Sequence, residues 1–484
     1  MELNGLAEVD VVIVGAGISG IAAAADLQRN CPDKSFVVLE MRESVGGTWD
    51  LFRYPGIRSD SDMFTLGYGF KPWTAPEAIA SGEAIKSYLR ETAAEFGITE
   101  KIRFGTRLIA ASWSSADNIW TLTLHDKDGE TRLRCRFLHL ATGYYSYRGG
   151  FNPELPGEES FEGRVVHPQE WPDDLDYRNK NVAVIGSGAT AVTLIPSLAS
   201  ETAKVTMVQR SPTYVYIAPV VDPEAERLRE EVGPEDAFRQ IRLRNLYAQQ
   251  ETYRQARQYP EEFKKTIFDA IDEVVGVEVR EAHFTPSYEP WDQRVCVVPG
   301  GDLFEAIRDG SADVVTGHIE RLTPAGIAMR DGTHVDADIV VKATGLNLVL
   351  GGEATFDVDG EIVDFGRCWT YKGLAFSGVP NMTYAFGFVN SSWTLRIEVV
   401  DDFLCRVLRH MDEIGAARVT PTLAPGDDDM PRLPYSAGVT SGYMQRAARR
   451  MPAQGDREPW LNPQNYDETV RLLESVDDGV LRYV

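Results

Sequence analysis

The sequence predicts an α/β fold: two Rossmann-like dinucleotide-binding domains, with a helical lobe inserted in the second. Three observations carry this. The β-branched run Val9–Val14 leads straight into the glycine-rich loop Gly15-Ala-Gly17-Ile-Ser19-Gly20. A second run, Asn181–Ile185, leads into Gly186-Ser187-Gly188-Ala189-Thr190-Ala191, followed by Val192. An Ala-Thr-Gly turn closes each half, at Ala141–Gly143 and again at Ala343–Gly345. A chain of 484 residues, 43% apolar with 20 Phe, 19 Tyr and 9 Trp, has material for two or three cores.

Composition removes several function classes. The net charge of −24 (49 basic, 73 acidic residues) repels phosphate backbones and argues against nucleic-acid binding. The five cysteines are scattered, with no C-x-x-C; this points to a reducing, cytoplasmic setting, to no structural zinc or other metal, and away from disulfide reductases. The apolar run Val11–Ala25 is preceded by Glu2, Glu8 and Asp10 instead of positive charge, so it is expected to be strand and helix, not an export leader. No segment has the roughly 20 apolar residues of a membrane span.

In the first half, Gly15 permits the tight turn, Gly17 lets backbone approach a pyrophosphate, and Gly20 lets the helix Ile21–Gln28 pack on its strand. The strand Phe36–Leu39 ends at Glu40, twenty residues beyond Gly20, where a carboxylate can accept hydrogen bonds from an adenosine ribose. In the second half the strand Val205–Gln209 ends at Arg210 and Ser211. An acid there would repel a 2′-phosphate, whereas a guanidinium attracts one. The first site therefore reads as FAD and the second as NADPH. The alternative for Arg210 is an ordinary surface charge.

Between the two loops lies Phe161-Glu-Gly-Arg-Val-Val-His167-Pro-Gln-Glu-Trp171-Pro172, in which Pro168 and Pro172 forbid a continuous helix. By composition it is a connector. It also matches, position for position, the F-x-G-x-x-x-H-x-x-x-W-P fingerprint of the type I Baeyer–Villiger monooxygenases, flavoenzymes that insert oxygen beside a ketone carbonyl. The resemblance extends over nearly the whole chain. Domains are then expected at residues 1–146 (FAD, first part), 147–347 (NADPH, with a helical insert at about 222–282) and 348–484 (FAD, second part, and tail).

The resemblance implies roles that composition does not. Thr48, Trp49, Asp50, Leu51 and Asp60 correspond to residues that line FAD; Arg58, Ser59 and Asp60 to residues that touch the nicotinamide nucleotide. Leu108, in Phe104-Gly-Thr-Arg-Leu108, matches a position whose backbone meets the adenine. Ser19 belongs to the first loop. Arg294, in Pro290-Trp-Asp292-Gln-Arg294, falls where the family has one catalytic arginine near the flavin, with Asp60 expected to orient it; on composition alone Arg294 could simply pair with Asp292. His167 and Trp171 are assigned a conformational role. The surroundings of Arg294, with Arg210-Ser-Pro-Thr-Tyr214 and Ser391-Ser-Trp393, resemble the ethionamide-activating branch of the family.

Three further segments carry weaker expectations. Pro212–Val221 reads as an aromatic loop at a substrate wall. The stretch from Asp222 to about residue 282 reads as helical, either a lid or a solvated face. Met382–Val389 reads as a strand, after which Ser391 or Ser392 caps a helix running from near Trp393 toward His410. The activity implied is oxidation of a ketone to an ester or lactone by O₂ through a C4a-peroxyflavin. A protonated peroxide would instead oxidise sulfides or amines, which makes a heteroatom monooxygenase the principal alternative. An uncoupled NADPH oxidase and a non-catalytic scaffold are weaker readings.

Overall fold

The computed structural model describes every residue except Met1, Asn4, Gly5, Asp428, Ala437, Val439 and Thr440. Two sheets organise it. The first has a parallel centre, Ile102–Arg103, Phe36–Leu39, Leu6–Val14 and Gly129–Leu140, extended by antiparallel Ile119–Asp126 and Arg107–Ser114. The second is wholly parallel, in the order Ala312–Thr316, Lys204–Gln209, Asn181–Ile185, Ile339–Lys342, Arg164–Val166. Both centres are β-branched runs buried on two faces, as expected where helices cover a parallel sheet.

The chain leaves the first sheet after Leu140 and returns after Lys342. Strand Met382–Tyr384 then adds to Leu138–Leu140, so the first sheet is completed by residues from far along the chain. The outgoing and returning connections run side by side: Ser146 N–H donates to Asn347 O (2.8 Å), Val349 N–H to Tyr144 O (3.0 Å), and Phe151 N–H to Gly345 O (2.9 Å).

The fingerprint is more than a connector, because Arg164–Val166 pairs with Ile339–Val341 at the sheet edge. Its β-branched Val165 and Val166 suit a strand once Gly163 has made the bend. Val215–Ala218 likewise forms a strand against Cys296–Pro299, where a loop was expected. Conversely, the Met382–Val389 strand stops at Tyr384.

The lobe is four helices, Pro223–Val232, Pro234–Gln258, Pro260–Val275 and Val277–His283, broken at Gly233, Tyr259 and Gly276. It is shared between two cores. Ala225, Phe238 and Ile241 pack with Ile21, Phe64 and Ile397 of the first unit, whereas Ile267 and Ile271 pack with Val184 and Leu194 of the second. Among the described residues no helix is long and apolar enough to cross a membrane, and no group of His, Cys, Asp or Glu could hold a metal ion.

Candidate functional site

Both glycine loops are built by the same contact. Gly15 has φ +111°, and a Cβ there would meet Ala141 O at 2.4 Å; Gly186 has φ +140°, and its Cβ would meet Ala343 O at the same distance. Each fingerprint thus packs on the Ala-Thr-Gly turn of its own unit. The helix Ile18–Asn30 starts at Gly17 and the helix Ala189–Ala199 at Gly188, and neither has a side-chain cap. Their first-turn N–H groups are therefore open to an anion. Gly17 and Gly47 approach so closely that a Cβ on Gly47 would lie 2.9 Å from the Gly17 Cα.

One cleft of about 410 Å³ runs between the two units, within the usual range of ligand sites (roughly 300–1,000 Å³). Gly15, Gly17, Ser19, Glu40, Thr48, Trp49, Arg58, Ser59, Asp60, Leu108 and Arg294 line it, joined by Ala189 and Thr190 from the second loop. Glu40 is 4% exposed; one carboxylate oxygen accepts Ala16 N–H (2.7 Å) and the other Arg42 N–H (2.9 Å). Burial pushes its pKa up, with these bonds opposing the shift. Each oxygen keeps a lone pair for a ribose hydroxyl. An uncapped helix, a backbone cradle with no room for a Cβ at Gly15 or Gly47, and a terminal carboxylate together fit an adenine dinucleotide such as FAD.

At the centre of the cleft Arg294 Nε stands 3.3 Å from Asp60 Oδ2. The side chains are 34% and 31% exposed, and the face they expose is the cleft they line. The Asp60 carboxylate holds the Arg294 guanidinium above its ordinary pKa, with burial opposing. Asp292, the local alternative partner, pairs instead with Arg257 (2.7 Å). Opposite lie Tyr144 and Tyr145, whose hydroxyls are 2.8 Å apart. Burial pushes the Tyr144 phenol up to about 12, so it stays protonated. Tyr144 stacks on Trp393 at 5.1 Å, and Trp393 Nε1 donates to Ser19 Oγ (2.8 Å).

Several expected residues sit elsewhere. Asp50 is 4% exposed and turns away from the cleft, onto Arg42 (2.6 Å) and Lys86. Leu51 packs on the second core. Gly20 is a packing residue, with a Cβ position 1.8 Å from Gly15 O. Gly186, Ser187, Gly188, Ala191, Val192, Arg210 and Ser211 surround the second loop outside the lining of the cleft. Ser187 Oγ donates to Ser211 O (3.0 Å). Arg210 is exposed and has no hydrogen bond or ion pair among the described residues. Tyr214 is buried and donates to Tyr288 O, so it forms no part of the cleft wall.

Arg58 holds Asp302 through two hydrogen bonds (2.5 and 3.2 Å), a tie across the cleft that no sequence pattern announced. Ser59 spends its hydroxyl on its own turn, donating to Ser61 O (2.7 Å). His167 lies against the returning connection. Its Nδ1 accepts Gln169 N–H (3.2 Å), which leaves the hydrogen on Nε2 to face Gly345 O (3.2 Å). Burial lowers its pKa and keeps the imidazole neutral. Trp171 packs edge-on against Tyr177 at 6.2 Å. Neither lines the cleft.

Comparison with known proteins agrees with this architecture. A family profile described as pyridine nucleotide-disulphide oxidoreductase matches residues 12–266. The FAD-containing monooxygenase EthA of Mycobacterium tuberculosis (strain ATCC 25618 / H37Rv) is 49% identical over 479 residues, covering 98% of this chain and 97% of that protein. The probable FAD-binding monooxygenase AlmA of Acinetobacter baylyi (strain ATCC 33305 / BD413 / ADP1) is 44% identical over 481 residues, covering 98% and 96%. Among solved structures, an oxidized steroid monooxygenase bound to NADP superposes with a TM-score of 0.79 at 22% identity, covering 99% of each chain. The five cysteines are all free thiols, so the match to the wider family is one of nucleotide-binding architecture. The chain belongs to the pyridine nucleotide-disulphide oxidoreductase family and, within it, to the FAD-containing monooxygenases.

Proposed function

We propose that the protein is an NADPH-dependent Baeyer–Villiger monooxygenase that converts a ketone to an ester or lactone with O₂. The observation that carries this is the Arg294–Asp60 pair facing a cleft shared by two dinucleotide loops. Bound FAD, reduced by NADPH, would activate O₂, one atom of which goes to the substrate and the other to water. The Gly15–Gly20 loop and its helix N-terminus hold the FAD pyrophosphate, and Glu40 accepts from the ribose. The Gly186–Ala191 loop takes the NADPH pyrophosphate, and Arg210 its 2′-phosphate. Arg294 stabilises negative charge on the reacting oxygen, because a buried anion without a fixed cation costs several kcal/mol. Asp60 holds that guanidinium in place.

A second reading is supported by the Tyr144–Tyr145 hydroxyls. Protonated phenols at the cleft can keep a reacting oxygen protonated and so favour electrophilic transfer to a sulfide or amine. Product analysis of FAD-loaded protein with NADPH, O₂ and either a ketone or a sulfide separates the two. Ester from the ketone is expected; sulfoxide alone would transfer the assignment to heteroatom oxidation. Hydrogen peroxide equal to the NADPH consumed, with no oxygenated product, would overturn both.

A further inference from the structure

The helix Trp393–Ile414 begins at the cleft, which Ser391 and Trp393 line. A serine cap was expected there and is absent. Ser392 occupies the N-cap position, but its Oγ faces Thr65 Oγ1 (2.6 Å) and makes no cap bond. The turn is held from outside instead. Gln249, on the long lobe helix Pro234–Gln258, accepts Ser392 N–H (3.0 Å) and Ser391 Oγ–H (2.8 Å) on its amide oxygen. Its amide nitrogen donates to Asp62 Oδ2 and Thr65 Oγ1, both at 2.9 Å. A backbone N–H only donates and a carboxylate only accepts, so the amide orientation is unambiguous. Every hydrogen-bonding position of this side chain is used, in a pocket where Ser392 and Thr65 are fully buried.

Neighbours on the same helix tie the lobe to the same place. Asn245 donates to Asp62 Oδ1 (3.0 Å). Arg242 donates to the carbonyls of Phe64 (2.8 Å) and Gly67 (2.7 Å) and pairs with Glu398 (2.7 Å) on the helix itself. Leu246 packs on Phe388 and Leu395 to either side of the turn, and among the described residues of this helix Gln249 is the one that hydrogen-bonds the turn itself.

We propose that Gln249 is a positioning residue for the flavin-facing end of helix Trp393–Ile414, which makes the lobe a working wall of the cofactor site and not a lid over it. The inference rests on the cleft being the FAD site. With Gln249 in place, the first-turn N–H groups of the helix stay at the cleft, where they would favour the negative charge that a bound flavin gains on reduction.

The test compares Gln249→Met, similar in length but without hydrogen bonds, with wild type and with Asn245→Leu, which removes the contacts to Asp62 and Arg244 but none to the Ser391–Ser392 turn. In apoprotein, amide hydrogen exchange across Ser391–Leu395 is expected to rise about tenfold in Gln249→Met, the effect of one lost buried hydrogen bond, and to stay unchanged in Asn245→Leu. In holoprotein the flavin midpoint potential is expected to fall in Gln249→Met only. If Gln249→Met does not fold, Gln249→Ala serves, with the same rise in exchange and the same fall in potential expected. Wild-type exchange with a wild-type potential, or a lower melting temperature with an unchanged potential, overturns the proposal. Failure of the wild-type protein to bind FAD would instead sink the reading of the cleft.

Discussion

Asp60 follows the first glycine loop and Arg294 follows the helical lobe, yet their side chains meet at 3.3 Å in the cleft between the two units. A cation placed by one half of the molecule and oriented by the other is complete only when the halves are docked. That arrangement ties the proposed chemistry to domain position.

Replacing Arg294 with Ala should leave NADPH reduction of the flavin near wild type while oxygenated product falls by at least about a hundredfold, the scale for loss of one preorganised electrostatic group. Stopped-flow reduction and product chromatography measure the two halves separately. Undiminished product from this variant would remove Arg294 from the mechanism.

Replacing Arg210 with Glu should raise the Michaelis constant for NADPH far more than that for NADH, because only the former carries a 2′-phosphate for the guanidinium to meet. Steady-state assays with both nucleotides decide it. Equal changes would mean the residue is only a surface charge.

The first loop separates a folding glycine from a binding glycine. A Cβ at residue 20 would lie 1.8 Å from Gly15 O, so Gly20→Ala should destabilise the fold by about 1–3 kcal/mol or more. At residue 17 the nearest protein atom would be 3.4 Å away, ordinary contact, so Gly17→Ala should keep its melting temperature as apoprotein yet lose flavin. Thermal melts and flavin-to-protein absorbance ratios report each effect. Unchanged flavin content in Gly17→Ala would argue against a pyrophosphate at that loop.

Asp26, on the helix that follows the first loop, is 7% exposed, and burial pushes its pKa up to about 7, against the pull of Arg29. The folded state therefore keeps a proton that the unfolded chain releases near its ordinary pKa of 3.8. Stability should fall as pH rises through this window, by about 1.4 kcal/mol for each unit separating the two states. Asp26→Asn should accordingly melt above wild type at pH 8 and alongside it near pH 4. A difference of equal size at both pH values would show that ionisation of Asp26 is not its origin.

Much of the fold was legible because its signals are local. A β-branched strand, a glycine turn and a helix follow one another in sequence, and Glu40 and Arg210 lie at strand ends that the pattern locates. The α/β class with two dinucleotide units came from these alone. What a side chain faces was far less legible. Asp50 carries the same motif position as its flavin-lining counterparts, but Arg42 and Lys86 claim its carboxylate, and nothing in the run Gly46–Leu51 says so. The Ser391-Ser392 pair looked like a helix cap; it makes no cap bond, and the turn is held by Gln249, some 140 residues earlier (143 from Ser392) on a helix that read as lid or solvated face. Arg294 and Asp60 were reached through motif resemblance, since no spacing rule joins residues so distant along the chain. The Arg58–Asp302 tie was not seen at all, because an isolated Asp after two glycines reads as a turn.

The way Met382–Tyr384 completes the first sheet has a consequence for biosynthesis. Thr383 lies 244 residues beyond His139, with which it shares a hydrogen bond. A ribosome therefore releases every strand of the second sheet before the first unit has its last parallel strand or the helix Trp393–Ile414. The half made first is finished last, and a nascent chain stalled before residue 382 would carry all the strands of the second sheet while the first still lacked Met382–Tyr384.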